Sequence, residues 1–117
     1  MKKILVIEDD LSIRELLVEI LEEEGYDVVS GANGLEALEL LKSNDPDLIV
    51  MDIMMPLMDG YKLKSELLKN AKWGSIPVLA MSAQNQAVEK LSSHGFSNFI
   101  NKPLEMDYFL QAVNSLA

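Results

Sequence analysis

The stretch LIVMDIMMPLMDG, residues 48–60, opens on four consecutive apolar residues and then places a carboxylate, Asp52, where the run ends. Apolar residues without alternation mark a strand buried on both faces, the pattern of a parallel sheet covered by helices. A charge at the end of such a strand costs free energy unless something nearby compensates for it. The segment then closes on Met58-Asp59-Gly60, a turn signal.

The same pattern recurs on either side. Short apolar runs at 4–7, 26–29, 78–81 and 96–100 read as four more strands, with Pro77 fitting the first position of the fourth. Between them, apolar residues recur at helical spacing. Ile13, Leu16, Leu17, Ile20 and Leu21 stripe a first helix that Ser12 can cap and Gly25 stops. Leu35, Leu38 and Leu41 mark a second helix, and Leu63, Leu67 and Leu68 a third over 61–69. Ala87, Val88 and Leu91 mark a fourth, stopped at Gly95, and Met106, Phe109, Leu110, Val113 and Leu116 a fifth. Five strand–helix units imply an α/β fold with a parallel sheet covered on both faces. Pattern does not read strand order, but 2-1-3-4-5 is the common doubly wound order for five strands.

At 117 residues the chain is expected to form one domain with its own core. There are no cysteines, which excludes disulfides and thiolate metal sites and suits a reducing cytoplasm. The apolar run after Met1-Lys2-Lys3 is too short for a signal peptide, and no segment reaches membrane-spanning length. The expectation is a soluble cytoplasmic protein. A formal net charge of -9, with Lys and Arg scattered, argues against direct binding to nucleic acid or to an anionic membrane. The acidic excess at Glu15, Glu19 and 22–24 reads as a solvated helix face.

In doubly wound sheets, ligands bind outside the carboxyl ends of the strands, so the residues following each strand test for a site. Strand one is followed by Glu8, Asp9 and Asp10, and strand three ends in Asp52. Strand four is followed by Ser82 and Ala83, and strand five leads to Lys102 and Pro103. Strand two offers only Ser30 and Gly31, which fits a sheet edge. Clustered carboxylates repel one another unless a cation joins them, and oxygen donors without His or Cys favour Mg²⁺ or Mn²⁺ over zinc. Lys102 and Ser82 suit phosphate oxygens, and an aspartate can itself accept a phosphoryl group. Taken singly these residues are ordinary: Asp9 or Asp10 could cap the first helix and Ser82 the fourth. Asp52 has no such account, because it begins no visible helix.

In order and spacing, ILVIEDD, LIVMDIMMPLMDG, PVLAMSA and FINKP resemble the receiver domains of two-component response regulators, the CheY-like family, over the whole chain. The resemblance implies a flavodoxin-like (βα)5 fold and a phosphorylation-dependent signalling switch that catalyses only its own phosphotransfer and dephosphorylation. It implies that Asp52 accepts a phosphoryl group from a sensor histidine kinase or a histidine phosphotransfer protein. Mg²⁺ would be held by Asp9, Asp52 and the backbone carbonyl of Met54, with Glu8 acting through a bridging water, and Lys102 would contact the phosphoryl group. Ser82 and Phe99 would be the switch pair, altering protein contacts on the face formed by the fourth helix, fifth strand and fifth helix. Met54 and Gln84 occupy positions that tune hydrolysis in this family.

The segment from Ser82 to Lys102 is about two residues shorter than in most receivers, before or within the fourth helix. His94, the sole histidine, precedes a helix-stopping glycine, and Trp73 and the methionines read as packing residues. The expectation is a single receiver over 1–117 with no output domain, acting on a downstream protein or cut from a longer regulator with a linked output. The competing readings are a degenerate receiver that only binds protein and an Mg²⁺-dependent phosphohydrolase. The latter usually carries a second Asp where this chain has Met54.

Overall fold

The computed structural model describes residues 1–83 and 88–117. Five strands, β1 (Lys3–Ile7), β2 (Asp27–Gly31), β3 (Leu48–Asp52), β4 (Val78–Ser82) and β5 (Phe99–Asn101), form one parallel sheet in the order β2-β1-β3-β4-β5. The helices are α1 (Leu11–Glu23), α2 (Gly34–Leu41), α3 (Gly60–Leu68), α4 (Ala71–Gly74), α5 (Val88–Ser93) and α6 (Met106–Leu116). This is the expected doubly wound, flavodoxin-like arrangement, with β2 at the edge. Ala87, Gln84 and the start of the shortened segment lie outside the described residues.

Strand alternation divides the core in two. Leu5, Ile7, Ile49, Met51 and Ala80 face Ala37 and Leu41 of α2, Leu63 and Leu67 of α3 and Leu91 of α5. Ile4, Val6, Leu48, Val50, Leu79 and Met81 face Leu17 and Leu21 of α1 and Phe109 and Val113 of α6. Burying each large side chain contributes roughly 1.5–3 kcal/mol. β3 and β4 are buried along their whole length, whereas the edge strand β2 is buried only at Gly31.

Helix boundaries follow side-chain caps. Asp10, not Ser12, caps α1: its backbone is extended and its carboxylate accepts from the Ile13 N–H at 3.0 Å. Ser12 falls inside the first turn, where its hydroxyl cannot reach the free N–H groups of a cap. Asn33, Asp59, Asn70 and Glu105 do the same work for α2, α3, α4 and α6.

Two strands begin later than their apolar runs suggest, and for one reason. At the end of α1, Gly25 (φ 95°) lets its own N–H reach Glu22 O and the Tyr26 N–H reach Leu21 O. At the end of α5, Gly95 (φ 91°) does the same with Ser92 O, and the Phe96 N–H with Leu91 O. These closures use up the amides of Tyr26 and Phe96, so both residues finish helices rather than start strands. β5 is thereby only Phe99–Asn101 instead of 96–100.

Leu16, Leu35 and Leu68 are 50–55% exposed, so the buried stripes are narrower than their spacing suggests. Lys64 is buried instead, its ammonium 6.0 Å from the Phe96 ring centroid, and burial holds its pKa down. The short α4 was not expected, because four residues cannot display a helical period. It brings Trp73 half-buried against the core. His94 closes α5: its Nδ1 lies 2.8 Å from Lys90 O and its ring 4.5 Å from that of Tyr61.

Candidate functional site

Glu8 and Lys102 each continue a strand ladder by one step. The Glu8 N–H donates to Gly31 O at 3.1 Å, and the Lys102 N–H to Ser82 O at 2.7 Å. Asp52, the last residue of β3, lies in register with Met81 of β4. Alternation along β1, β3 and β5 therefore turns Glu8, Asp52 and Lys102 to the α1–α6 side, at its carboxyl end. There the Lys102 ammonium donates to Asp52 Oδ2 at 3.0 Å and to Glu8 Oε1 at 3.1 Å. Three residues up to 94 positions apart in sequence meet at one charge.

The remaining valences are filled locally. Glu8 Oε2 accepts from the Asp10 N–H at 3.1 Å, and Glu8 O accepts from Arg14 at 2.8 Å. Asp52 Oδ1 accepts from the Met54 N–H at 3.3 Å, tying the next loop's main chain to the carboxylate. Gly60 closes that loop by donating to Ile53 O at 2.7 Å. A Cβ on Gly60 would lie 2.8 Å from Ile53 Cα, so only glycine permits the approach. Leu57, at the exposed tip, has φ 66°. The Met54 side chain stands 62% exposed beside the site.

Glu8 is 1% and Asp52 5% exposed. Burial first, with the charge of Asp52 adding to it, drives the Glu8 pKa up to about 7, against the pull of the Asp10 N–H and Lys102. Burial works against the charged form of Lys102, yet its two carboxylate partners outweigh that and hold its pKa above the ordinary value. Carboxylate oxygens of Glu8, Asp9 and Asp52 lie within 4.8 Å of one another, with Asp9 exposed to solvent. Three carboxylates against one lysine leave uncompensated negative charge, and the donors are all oxygen. That donor set fits a hard divalent cation such as Mg²⁺ or Mn²⁺.

Ser82 and Phe99 lie apart from this group. Alternation turns them toward the α2–α3–α5 side, where Phe99 is half-buried against the core. Ser82 is fully buried, and its hydroxyl bonds Asn101 Oδ1 at 3.2 Å and Ile100 O at 3.4 Å. Thus the structure brings together Glu8, Asp9, Asp52 and Lys102, with the Met54 main chain attached and Ser82 held toward β5. Arg14 and Asn101 are absent from the sequence expectations, and Asp10 stands there among the residues after strand one and as a possible cap of the first helix, which it is. Of the two absent residues only Asn101 carried a signal, an amide in a strand directly before Lys102.

Fold and site together define a doubly wound α/β domain with a cation-ready acidic cleft at the carboxyl edge of its sheet. The chain belongs to the response regulator receiver domain family, whose model matches residues 4–114. It is 34% identical over 115 residues to the chemotaxis protein CheY of Halobacterium salinarum, covering 98% of this chain and 96% of that protein. It is 34% identical over 116 residues to the probable transcriptional regulator ycf29 of Pyropia yezoensis, covering 97% of this chain and 52% of that one. The chain spans about half the length of several such curated relatives. Among solved structures it is similar to the response regulator TrrA of Thermotoga maritima in complex with Mg²⁺ and BeF. The TM-score is 0.88, with 35% identity and complete coverage of both chains. The family is a signalling module of two-component systems rather than a conventional enzyme. No helix among the described residues is long and apolar enough to cross a membrane.

Proposed function

We propose that this domain is a phosphorylation-controlled switch in which Asp52 accepts a phosphoryl group from the phosphohistidine of a sensor kinase or phosphotransfer protein. One observation carries the reading: Lys102 reaches Asp52 and Glu8 together, from the ends of three strands that the parallel sheet brings close. A carboxylate held beside one cation and two further carboxylates supports phosphoryl chemistry over a structural ion pair, because buried like charges are the arrangement that reactive carboxylates use. An Asp52 oxygen attacks phosphorus, the P–N bond breaks, and the departing imidazole keeps the electron pair and takes up a proton. Lys102 turns from Asp52 toward a phosphoryl oxygen and stabilises the charge that gathers there.

Glu8, Asp9 and Asp52, with the Met54 carbonyl, are the residues that would hold Mg²⁺ or Mn²⁺. Bound there, the ion would offset the carboxylates and the phosphoryl oxygens. Ser82 then turns to the new oxygens and Phe99 repacks, altering the surface of α5, β5 and α6. The readout is a contact with a downstream protein or a linked output domain, in the cytoplasm.

Incubation with phosphoramidate, with and without Mg²⁺, followed by intact-mass measurement, tests this. The expected result is a metal-dependent gain of one phosphoryl group that Asp52→Asn abolishes. An unchanged mass, with no response to beryllofluoride, would leave a phosphorylation-independent binding module. A label on His94 would overturn the mechanism.

A further inference from the structure

We propose that Asn101 is a positioning residue that latches Ser82 in the resting state and so sets how readily the domain switches. The inference rests on the reading of Asp52 as phosphoryl acceptor and goes beyond it in naming what holds the switch back. Ser82 and Asn101 are register partners on β4 and β5, so their side chains leave the same face of the sheet side by side. The Ser82 hydroxyl is fully buried and bonds Asn101 Oδ1 at 3.2 Å, with Ile100 O a longer alternative at 3.4 Å. A hydroxyl has one proton to donate. Turned toward β5, it is spent on Asn101; turned toward Asp52, it is available to a phosphoryl oxygen. The two states are therefore exclusive, and the amide oxygen competes directly with the phosphoryl group.

The competition has a predictable size and direction. A neutral hydrogen bond of this kind shifts an equilibrium by roughly 2- to 10-fold. Removing the acceptor with Asn101→Leu, of similar branched shape at an exposed strand end, leaves the Ser82 hydroxyl only the longer contact to Ile100 O and so favours the switched state. Asn101→Asp keeps an acceptor and restores the latch. Phe99 lies two residues before Asn101 on the same strand and face, so releasing one bond loosens the neighbourhood in which both switch residues sit.

The test is calorimetric titration of the protein with beryllofluoride in the presence of Mg²⁺, with thermal melting to establish that each variant is folded. Asn101→Leu is expected to tighten beryllofluoride binding about 2- to 10-fold, and Asn101→Asp to leave it at or below the wild-type affinity. In a Ser82→Ala background, where no hydroxyl remains to latch, Asn101→Leu should change nothing. Equal affinity for wild type and Asn101→Leu, or a gain that persists without the Ser82 hydroxyl, would overturn the latch while phosphorylation of Asp52 still stood. A wild-type chain that gains no phosphoryl mass and binds no beryllofluoride would remove the Asp52 reading and the latch with it.

Discussion

On the α1–α6 side of the sheet the strands lead into Glu8, Asp52 and Lys102, whereas on the α2–α3–α5 side β4 and β5 finish in Ser82 and Asn101, with Phe99 at the start of β5. The same period-two alternation that sorts apolar residues into two cores thus sorts the strand ends into a charged group and a neutral one. On the charged side, one lysine holds two buried carboxylates at 3.0 and 3.1 Å. On the neutral side, a buried hydroxyl is held by an amide and a carbonyl at 3.2 and 3.4 Å. The charged group is in this way separated by one residue of β4 from the neutral one, since Asp52 is in register with Met81 and Ser82 follows it.

If the two sides differ in their end groups and not in how they are held, truncating equivalent core leucines should cost alike. Leu17 of α1 and Leu67 of α3 are each 1% exposed. Leu17→Ala and Leu67→Ala should each lose about 2–5 kcal/mol in urea unfolding, and a gap of more than about 2 kcal/mol between them would break the symmetry.

The next effect is confined to the charged side. Lys102→Ala should slow phosphoryl uptake from phosphoramidate by about 10²- to 10³-fold, followed as mass gain over time. A rate within about twofold of wild type would remove Lys102 from the chemistry.

A pH effect belongs to the same side. The Glu8 pKa is raised, from 4.5 to about 7, so the native state binds its proton more tightly than the unfolded chain does. Its contribution to stability is complete below pH 4.5 and is lost as pH rises through about 7. In metal-free buffer, Glu8→Gln should match wild type near pH 4.5 and melt a few degrees higher at pH 8. A constant difference across that range would contradict the assignment.

The smallest expected effect lies between the two sides, in the loop carrying Met54. Leu57 adopts φ 66° at an exposed tip, so Leu57→Gly should relieve roughly 1 kcal/mol of backbone strain. Chemical denaturation would read this as a slight gain, partly offset by the entropy of the added glycine.

Most of the charged side was legible in sequence, because each of its members follows an apolar run and the doubly wound rule says where such ends collect. On the neutral side Ser82 was legible as a hydroxyl after a strand, Phe99 only through family resemblance, and Asn101 as an amide before Lys102 but not as a partner of Ser82. Its role depends on the register of β4 against β5, a long-range pairing that no local pattern encodes. Likewise, apolar spacing located the helices but not their partners, so Leu16, Leu35 and Leu68 fall outside the core while Lys64 lies inside it. The caps show the same division. Several acceptors stood near the start of α1, and only the extended backbone at Asp10 decided among them.

By itself the sequence determined the number and order of the strand–helix units, the burial of the sheet on both faces and the acidic character of its carboxyl edge. Those properties follow from period, composition and neighbouring residues. Tertiary structure alone decided that Lys102 would bridge Glu8 and Asp52, that burial would lift Glu8, and that Asn101 would accept from Ser82. Each of these depends on distances between residues far apart in the chain, and strand pairing, not local sequence, sets those distances.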